Sequence, residues 1–174
     1  SARRDKTIFE RIRRCTYRPF DDRWVIYSDD ILEYSRRDAM QYVSSKTPAL
    51  ICSRIVKDEA FAHVFISQYP IEKIFLSPKS SNNAQVCLSG NERDQVSLLT
   101  VDVGWCVPKT TCLPLGAETN DLLHYAYAVF HSPGYRSRYA EFLKIDFPRL
   151  TMTGNLELFR ALARRVPRYL REGR

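Results

Sequence analysis

The sequence predicts an α+β protein: a small, mostly antiparallel sheet with long loops, an N-terminal helix, and a C-terminal three-helix part. Three observations carry this. Short β-branched and aromatic runs, parted by Pro, Gly, Asn and Ser, recur through the first two thirds of the chain, as brief strands joined by turns do. Beyond about residue 118 the apolar spacing changes to the three-four repeat of amphipathic helices. Ser132-Pro133 then interrupts that repeat with the pair that starts a new helix, an oxygen for an orphan N–H followed by a proline that loses no bond at the first helical position. The chain therefore divides into a sheet-and-loop lobe over 1–118 and a helical part over 119–174. Its 174 residues suffice for one domain with a sizeable core.

Residues 2–14 place Ile8, Phe9 and Ile12 on one side of a short amphipathic helix. From 16 to 27 the character turns β-like, because Pro19 breaks a helix and Trp24, Val25, Ile26 and Tyr27 suit a pleated surface. Ser28-Asp29-Asp30 is a turn. A helix over 36–43 has Ser35 as its cap and Pro48 beyond its end. Strand-like runs follow at 49–56, 63–67, 73–76 and 85–88, with turn-forming residues at 67–70 and 77–83 between them. Residues 89–94 read as a polar loop, 95–103 as another strand and 104–116 as loop.

A helix capped by Thr119 or Asn120 carries Leu122, Ala126, Val129 and Phe130 on one face. Past the Ser132-Pro133 corner, Tyr135, Tyr139, Phe142 and Leu143 form a second face, so two apolar surfaces meet there. Tyr135, Tyr139, Phe142 and Phe147 are expected in the core. Residues 146–150 cross extended, and a last helix over 155–171 bears one stripe of Leu156, Phe159, Leu162, Ala163, Val166 and Leu170. Pro167 argues for a kink or an early end.

Lys and Arg number 27 against 20 Asp and Glu, a net charge of +7 that favours a polyanionic partner such as nucleic acid or an anionic membrane surface. No apolar stretch approaches the roughly 20 residues that span a bilayer. Cys15, Cys52, Cys87, Cys106 and Cys112 are odd in number and never form Cys-x-x-Cys, which indicates neither a disulfide framework nor a zinc ribbon. The start on Ser1-Ala2 in place of Met is the pattern of a piece excised from a longer polypeptide.

Signatures of catalysis are missing. The glycines at 90, 104, 116, 134, 154 and 173 are too scattered to cradle a phosphate, and Lys109-Thr110-Thr111 lacks the glycines of a P-loop. Neither an Asp/Asn-Pro-Pro-Tyr/Phe loop nor an Asp…Glu-x-Lys constellation occurs. His124 and His131 share a helix face but stand about 10 Å apart along its axis, too far for one metal. With His63, they are expected to be structural or solvent-exposed.

Basic and aromatic side chains remain. Planar bidentate donors read base edges, Arg on guanine and Asn or Gln on adenine, and loops carry such groups into a groove. The candidate DNA-binding residues are Arg36, Arg37, Arg54, Lys57, Lys73, Lys79, Asn82 and Asn83 in the sheet-and-loop lobe. On the polar side of the last helix, beside Arg160 and Arg168, Arg164 and Arg165 suit phosphate contact or docking. Arg18 and Arg23 stand apart: beside Asp21, Asp22 and Trp24 they form a structural ion-pair and stacking cluster.

The run from Tyr125 to Leu150, AYAVFHSPGYRSRYAEFLKIDFPRL after its first tyrosine, resembles a helical signature of the target recognition part of type I single-polypeptide restriction-modification enzymes and related fused N6-adenine methyltransferases. In that signature an alanine- and tyrosine-rich helix runs into His-Ser-Pro-x-Tyr-Arg-x-Arg-Tyr and then Phe-Leu-Lys-x-Asp-Phe-Pro-Arg. Residues 17–24, YRPFDDRW, resemble the family's opening motif, and 61–67, FAHVFIS, its central strand. Between about 80 and 118 nothing matches. The resemblance implies a cytoplasmic specificity lobe that reads duplex DNA, does no chemistry and needs no cofactor of its own. It implies a methyltransferase domain on the same polypeptide using S-adenosylmethionine, with ATP and Mg for a translocase and nuclease in the single-polypeptide class. Two other readings stand beside it. One is a docking or scaffold module whose basic helix meets an acidic partner; the other is an enzyme with an unrecognised site in 106–116.

Overall fold

The computed structural model describes residues 8–32, 43, 48–53, 60–72, 75–76, 83–87, 117, 119–146 and 148–172. They form two small antiparallel sheets and a group of helices. A 3-10 turn, Ile8–Arg11, leads into β1 (Ile12–Arg18), which pairs with β2 (Asp21–Ile26) as a separate two-stranded ribbon. Ile12 lies opposite Ile26, Arg14 opposite Trp24 and Thr16 opposite Asp22, with a register shift between Thr16 and Arg18. Pro19 and Phe20 close the hairpin.

The helix expected over 2–14 therefore gives way to strand from Ile12 onward. A short run is marginal as a lone helix, and Phe9, one of its three apolar residues, stays 77% exposed. Pairing with Trp24, Val25 and Ile26 satisfies the same backbone groups in a ladder.

The second sheet has the order β4-β3-β5, with β3 (Ala49–Ser53) between β4 (Val64–Ser67) and β5 (Asn83–Cys87), all antiparallel. Ala49, Leu50, Ile51 and Cys52 are all buried, so both faces of this central strand are covered, which explains a continuous apolar run in place of alternation. The ribbon is tied to this sheet through Thr16. Its N–H donates to Pro70 O at 2.8 Å, and its hydroxyl shares a 2.7 Å hydrogen bond with Ser67, buried at both ends. In the strand expected at 73–76, the two described residues bend instead, and Phe75 N–H turns back to Glu72 O at 3.1 Å. The helix expected over 36–43, apart from Val43, the loop at 89–94, the strand at 95–103 and the loop at 104–116 lie outside the described residues.

Helices α1 (Thr119–His131), α2 (Pro133–Arg138) and α3 (Leu156–Glu172) make the C-terminal part. Thr119 and Asn120 are already helical, so they are not the cap. At the corner, Ser132 is extended and its Oγ accepts from Tyr135 N–H at 3.5 Å, with Pro133 at the first helical position. α3 continues past Pro167 to Glu172. Phe159, Ala163 and Val166 lock its preceding turns into the core, which offsets the one donor the proline removes.

A single core joins sheet and helices. Leu50, Cys52 and Val64 meet Leu122, Leu123, Ala126, Phe130, Tyr135 and Phe159 in one cluster. Tyr125 and Phe159 bring α1 onto α3 with ring centroids 4.8 Å apart. Complete burial of a phenylalanine such as Phe159 stabilises by roughly 2 to 3 kcal/mol. Of the four aromatics expected inside, Tyr135 is buried, Tyr139 and Phe142 are partly buried against the cluster, and Phe147 lies outside the described residues.

Candidate nucleic-acid interface

Pairing in the β1–β2 ribbon arranges guanidinium groups over aromatic rings. Arg18 and Arg23 stand 4.0 and 4.1 Å from the Tyr17 ring centroid, and Arg14 stands 5.7 Å from that of Trp24 and 5.2 Å from that of Tyr69. Carboxylates fix them from the side. Arg23 donates through Nε at 3.0 Å and Nη2 at 2.8 Å to Asp21, Arg18 pairs with Glu72, and Arg14 lies 3.9 Å from Asp22. The Arg23 hydrogen bonds hold the Asp21 carboxyl below its ordinary range. The stacking and ion-pair cluster expected of Arg18 and Arg23 is thus present, but Tyr17 is their ring, and Trp24 receives Arg14. Cys15, within the ribbon, has its thiol pushed up to about 11 by burial and by Glu72 and Asp22, which removes it as a nucleophile at neutral pH.

Helix α3 offers a second basic surface. Phe159, Ala163 and Val166 turn inward, and this leaves Arg160, Arg164 and Arg165 exposed on its outer side. None of the three forms an ion pair among the described residues.

The His-Ser-Pro-x-Tyr-Arg run turns out to be joinery. Arg136 donates through Nε to Phe130 O at 2.7 Å and through Nη2 to Ala62 O at 3.2 Å, and Nη2 lies 3.1 Å from His131 Nδ1. His131 Nε2 lies 3.1 Å from Val64 O. Because a guanidinium can only donate, Nδ1 accepts, the imidazole proton sits on Nε2, and the ring is neutral. Burial foremost, and the adjacent Arg136 charge, keep its pKa below the ordinary value although the Val64 bond opposes them. Farther along, Tyr135 and Tyr125 donate their hydroxyls to Arg149 O and Thr151 O, each at 2.8 Å, and so clamp the extended exit onto the helices. His124 is half-buried on α1, as a structural histidine would be.

Of the residues expected to contact DNA, Arg164 and Arg165 are exposed side by side on α3. Asn83, the last residue of the expected turn run, begins β5. Arg36, Arg37, Arg54, Lys57, Lys73, Lys79 and Asn82 lie outside the described residues, as does 106–116. The sequence hid Arg13, Arg14 and Tyr69. Assigning 2–14 to a helix obscured the strand alternation that puts Arg13 and Arg14 on opposite faces of the ribbon.

Residues 1–165 match the family model described as the Type ISP C-terminal specificity domain. No curated protein matches the chain. Among solved structures, a nuclease-deletion mutant of the Type ISP restriction-modification enzyme LlaGI, in complex with a DNA substrate mimic, superposes with a TM-score of 0.57 at 23% identity. The superposition covers 89% of this chain and 13% of that one, so the fold is shared and the chain spans a small part of that enzyme's length. With the family model spanning all but the last nine of its 174 residues, the chain belongs to the Type ISP C-terminal specificity domain family.

Proposed function

We propose that the chain recognises the DNA target of a restriction-modification enzyme, binding duplex DNA and presenting it to a methyltransferase domain on the same polypeptide. Membership of a specificity-domain family over 1–165 carries this reading. The net charge of +7 and the exposed arginines of α3 support it, because neutralising phosphates is the sequence-independent share of DNA binding. The DNA complex of LlaGI, a larger enzyme of the same type, is consistent with it. Arg36, Arg37, Arg54, Lys57, Lys73, Lys79, Asn82 and Asn83 are assigned to base reading, and Arg164 and Arg165 to phosphates.

Methyl transfer from S-adenosylmethionine to adenine N6, and ATP-driven translocation with Mg, belong in this reading to other parts of the polypeptide, in the cytoplasm. Among the described residues no cluster of His, Cys, Asp or Glu is fit to hold a metal. No helix of the described residues is long and apolar enough to cross a membrane.

Titration of a labelled duplex with the chain at low and moderate salt tests the reading. Binding is expected to be weak and to fall steeply as salt rises. Absence of binding at low salt, or affinity indifferent to salt, contradicts it and favours a docking module for an acidic protein partner.

A further inference from the structure

The β1–β2 ribbon ends in a side chain that the fold leaves almost wholly outside its core. Phe20 is 96% exposed, and its backbone lies in the left-handed region at φ 66. After a turn proline, that position is one where Gly or Asn sits at lower cost. The ring contact it makes is edge-on to Phe65, centroids 6.1 Å apart. Neither burial nor turn geometry accounts for a phenylalanine here.

The surroundings indicate what it meets. Between Ile12 and Ile26 four arginines stand against two aspartates, so the ribbon is basic. Arg13 is exposed and forms no ion pair among the described residues, while Trp24, 70% exposed, carries Arg14 over its ring. The ribbon is a two-stranded sheet of its own, held to the three-stranded sheet through Thr16, and a two-stranded β-ribbon is a shape that the major groove of B-DNA admits. Phenylalanine at its end has a matching base feature there, the 5-methyl group of thymine, the one apolar group on a major-groove edge.

We propose that the β1–β2 ribbon enters the major groove of the DNA target with Phe20 leading and reads a thymine methyl group. This rests on the DNA-recognition role proposed above and adds a specificity residue to it. Arg13 then faces the phosphates that flank the groove.

The test begins with a duplex selected by the chain from a randomised pool, in which each thymine is then replaced singly by deoxyuridine. At one position, loss of the methyl is expected to weaken binding about fourfold, the value of one buried methyl. Phe20→Gly is expected to bind the parent duplex weaker by at least that factor and to ignore the same replacement. Phe20→Leu, which keeps an apolar contact, retains the dependence. Because glycine takes the left-handed φ without strain, Phe20→Gly is expected to melt no lower than the parent. A selected sequence in which no thymine methyl matters more to the parent than to Phe20→Gly overturns the inference alone, as does a Phe20→Gly variant that melts well below the parent. A chain that selects no sequence overturns the recognition role and this inference with it.

Discussion

Arg136 makes hydrogen bonds to the backbone of α1 at Phe130, to Ala62 ahead of β4, and to the His131 ring, so one side chain joins the helical corner to the sheet. Its planar fork is what lets it reach all three. Arg136→Ala is expected to lower stability by about 3 kcal/mol, since it strands partly buried carbonyls as well as removing bonds, and Arg136→Lys to recover little of the loss. Denaturant unfolding of the two variants measures this; a parent-like midpoint for Arg136→Ala would show the corner to be held by packing alone. His131 adds a pH dependence. Its folded pKa, like that of His124, lies below the ordinary 6.5, so the unfolded state takes up protons first as pH falls. The stability they contribute is complete above about pH 6.5, the unfolded value, and is lost as pH falls toward the folded values. Melting temperature is expected to decline from pH 7 to pH 5, and His131→Gln to flatten the slope; an equal slope in that variant removes His131 as a cause.

Among the elements, α3 and the ribbon divide by what each can present. α3 buries Phe159, Ala163 and Val166 and exposes Arg160, Arg164 and Arg165, a side that suits phosphate and not base edges. Arg164→Ala with Arg165→Ala is expected to weaken binding about equally for every sequence and to reduce the salt slope by about one per lost phosphate contact. Salt titrations on two unrelated duplexes check this; a loss confined to one of them contradicts it. Phe159→Ala, by contrast, is expected to destabilise by roughly 3 to 5 kcal/mol, through the cavity left under α1. The elements also differ in how plainly the sequence announced them. The Ser132-Pro133 corner was legible because local chemistry, a cap oxygen followed by proline, specifies it without help from the rest of the chain. The N-terminal strand was not. Ile8, Phe9 and Ile12 have helical spacing, but the deciding partners, Trp24, Val25 and Ile26, sit across a hairpin, and spacing within one segment does not contain that information.

Across the whole molecule, one core runs from β3 and β4 through α1 to α2 and α3, and it takes in Phe61 and Val64 together with Tyr125, Ala126, Val129, Phe130, Tyr135 and Leu143 of the 125–150 run. The conspicuous His-Ser-Pro-x-Tyr-Arg signature is therefore about architecture, and specificity must come from surfaces outside it. That also explains why the fold was more legible than the site. Packing leaves periodic traces in a sequence, whereas a base-reading arginine such as Arg36 looks like any solvated charge until a groove is placed against it. Phe20 shows the same limit, since only its positive φ and its exposure set it apart. The central claim, that this chain reads DNA sequence, is tested most directly by selection. The chain is mixed with a randomised duplex pool at the highest salt that still allows binding, and the retained fraction is sequenced. Enrichment at a short set of neighbouring positions, preserved when Arg164 and Arg165 are both replaced by alanine, is the predicted result. A retained fraction with the base composition of the input at every position, from protein that demonstrably binds the pool, would contradict it.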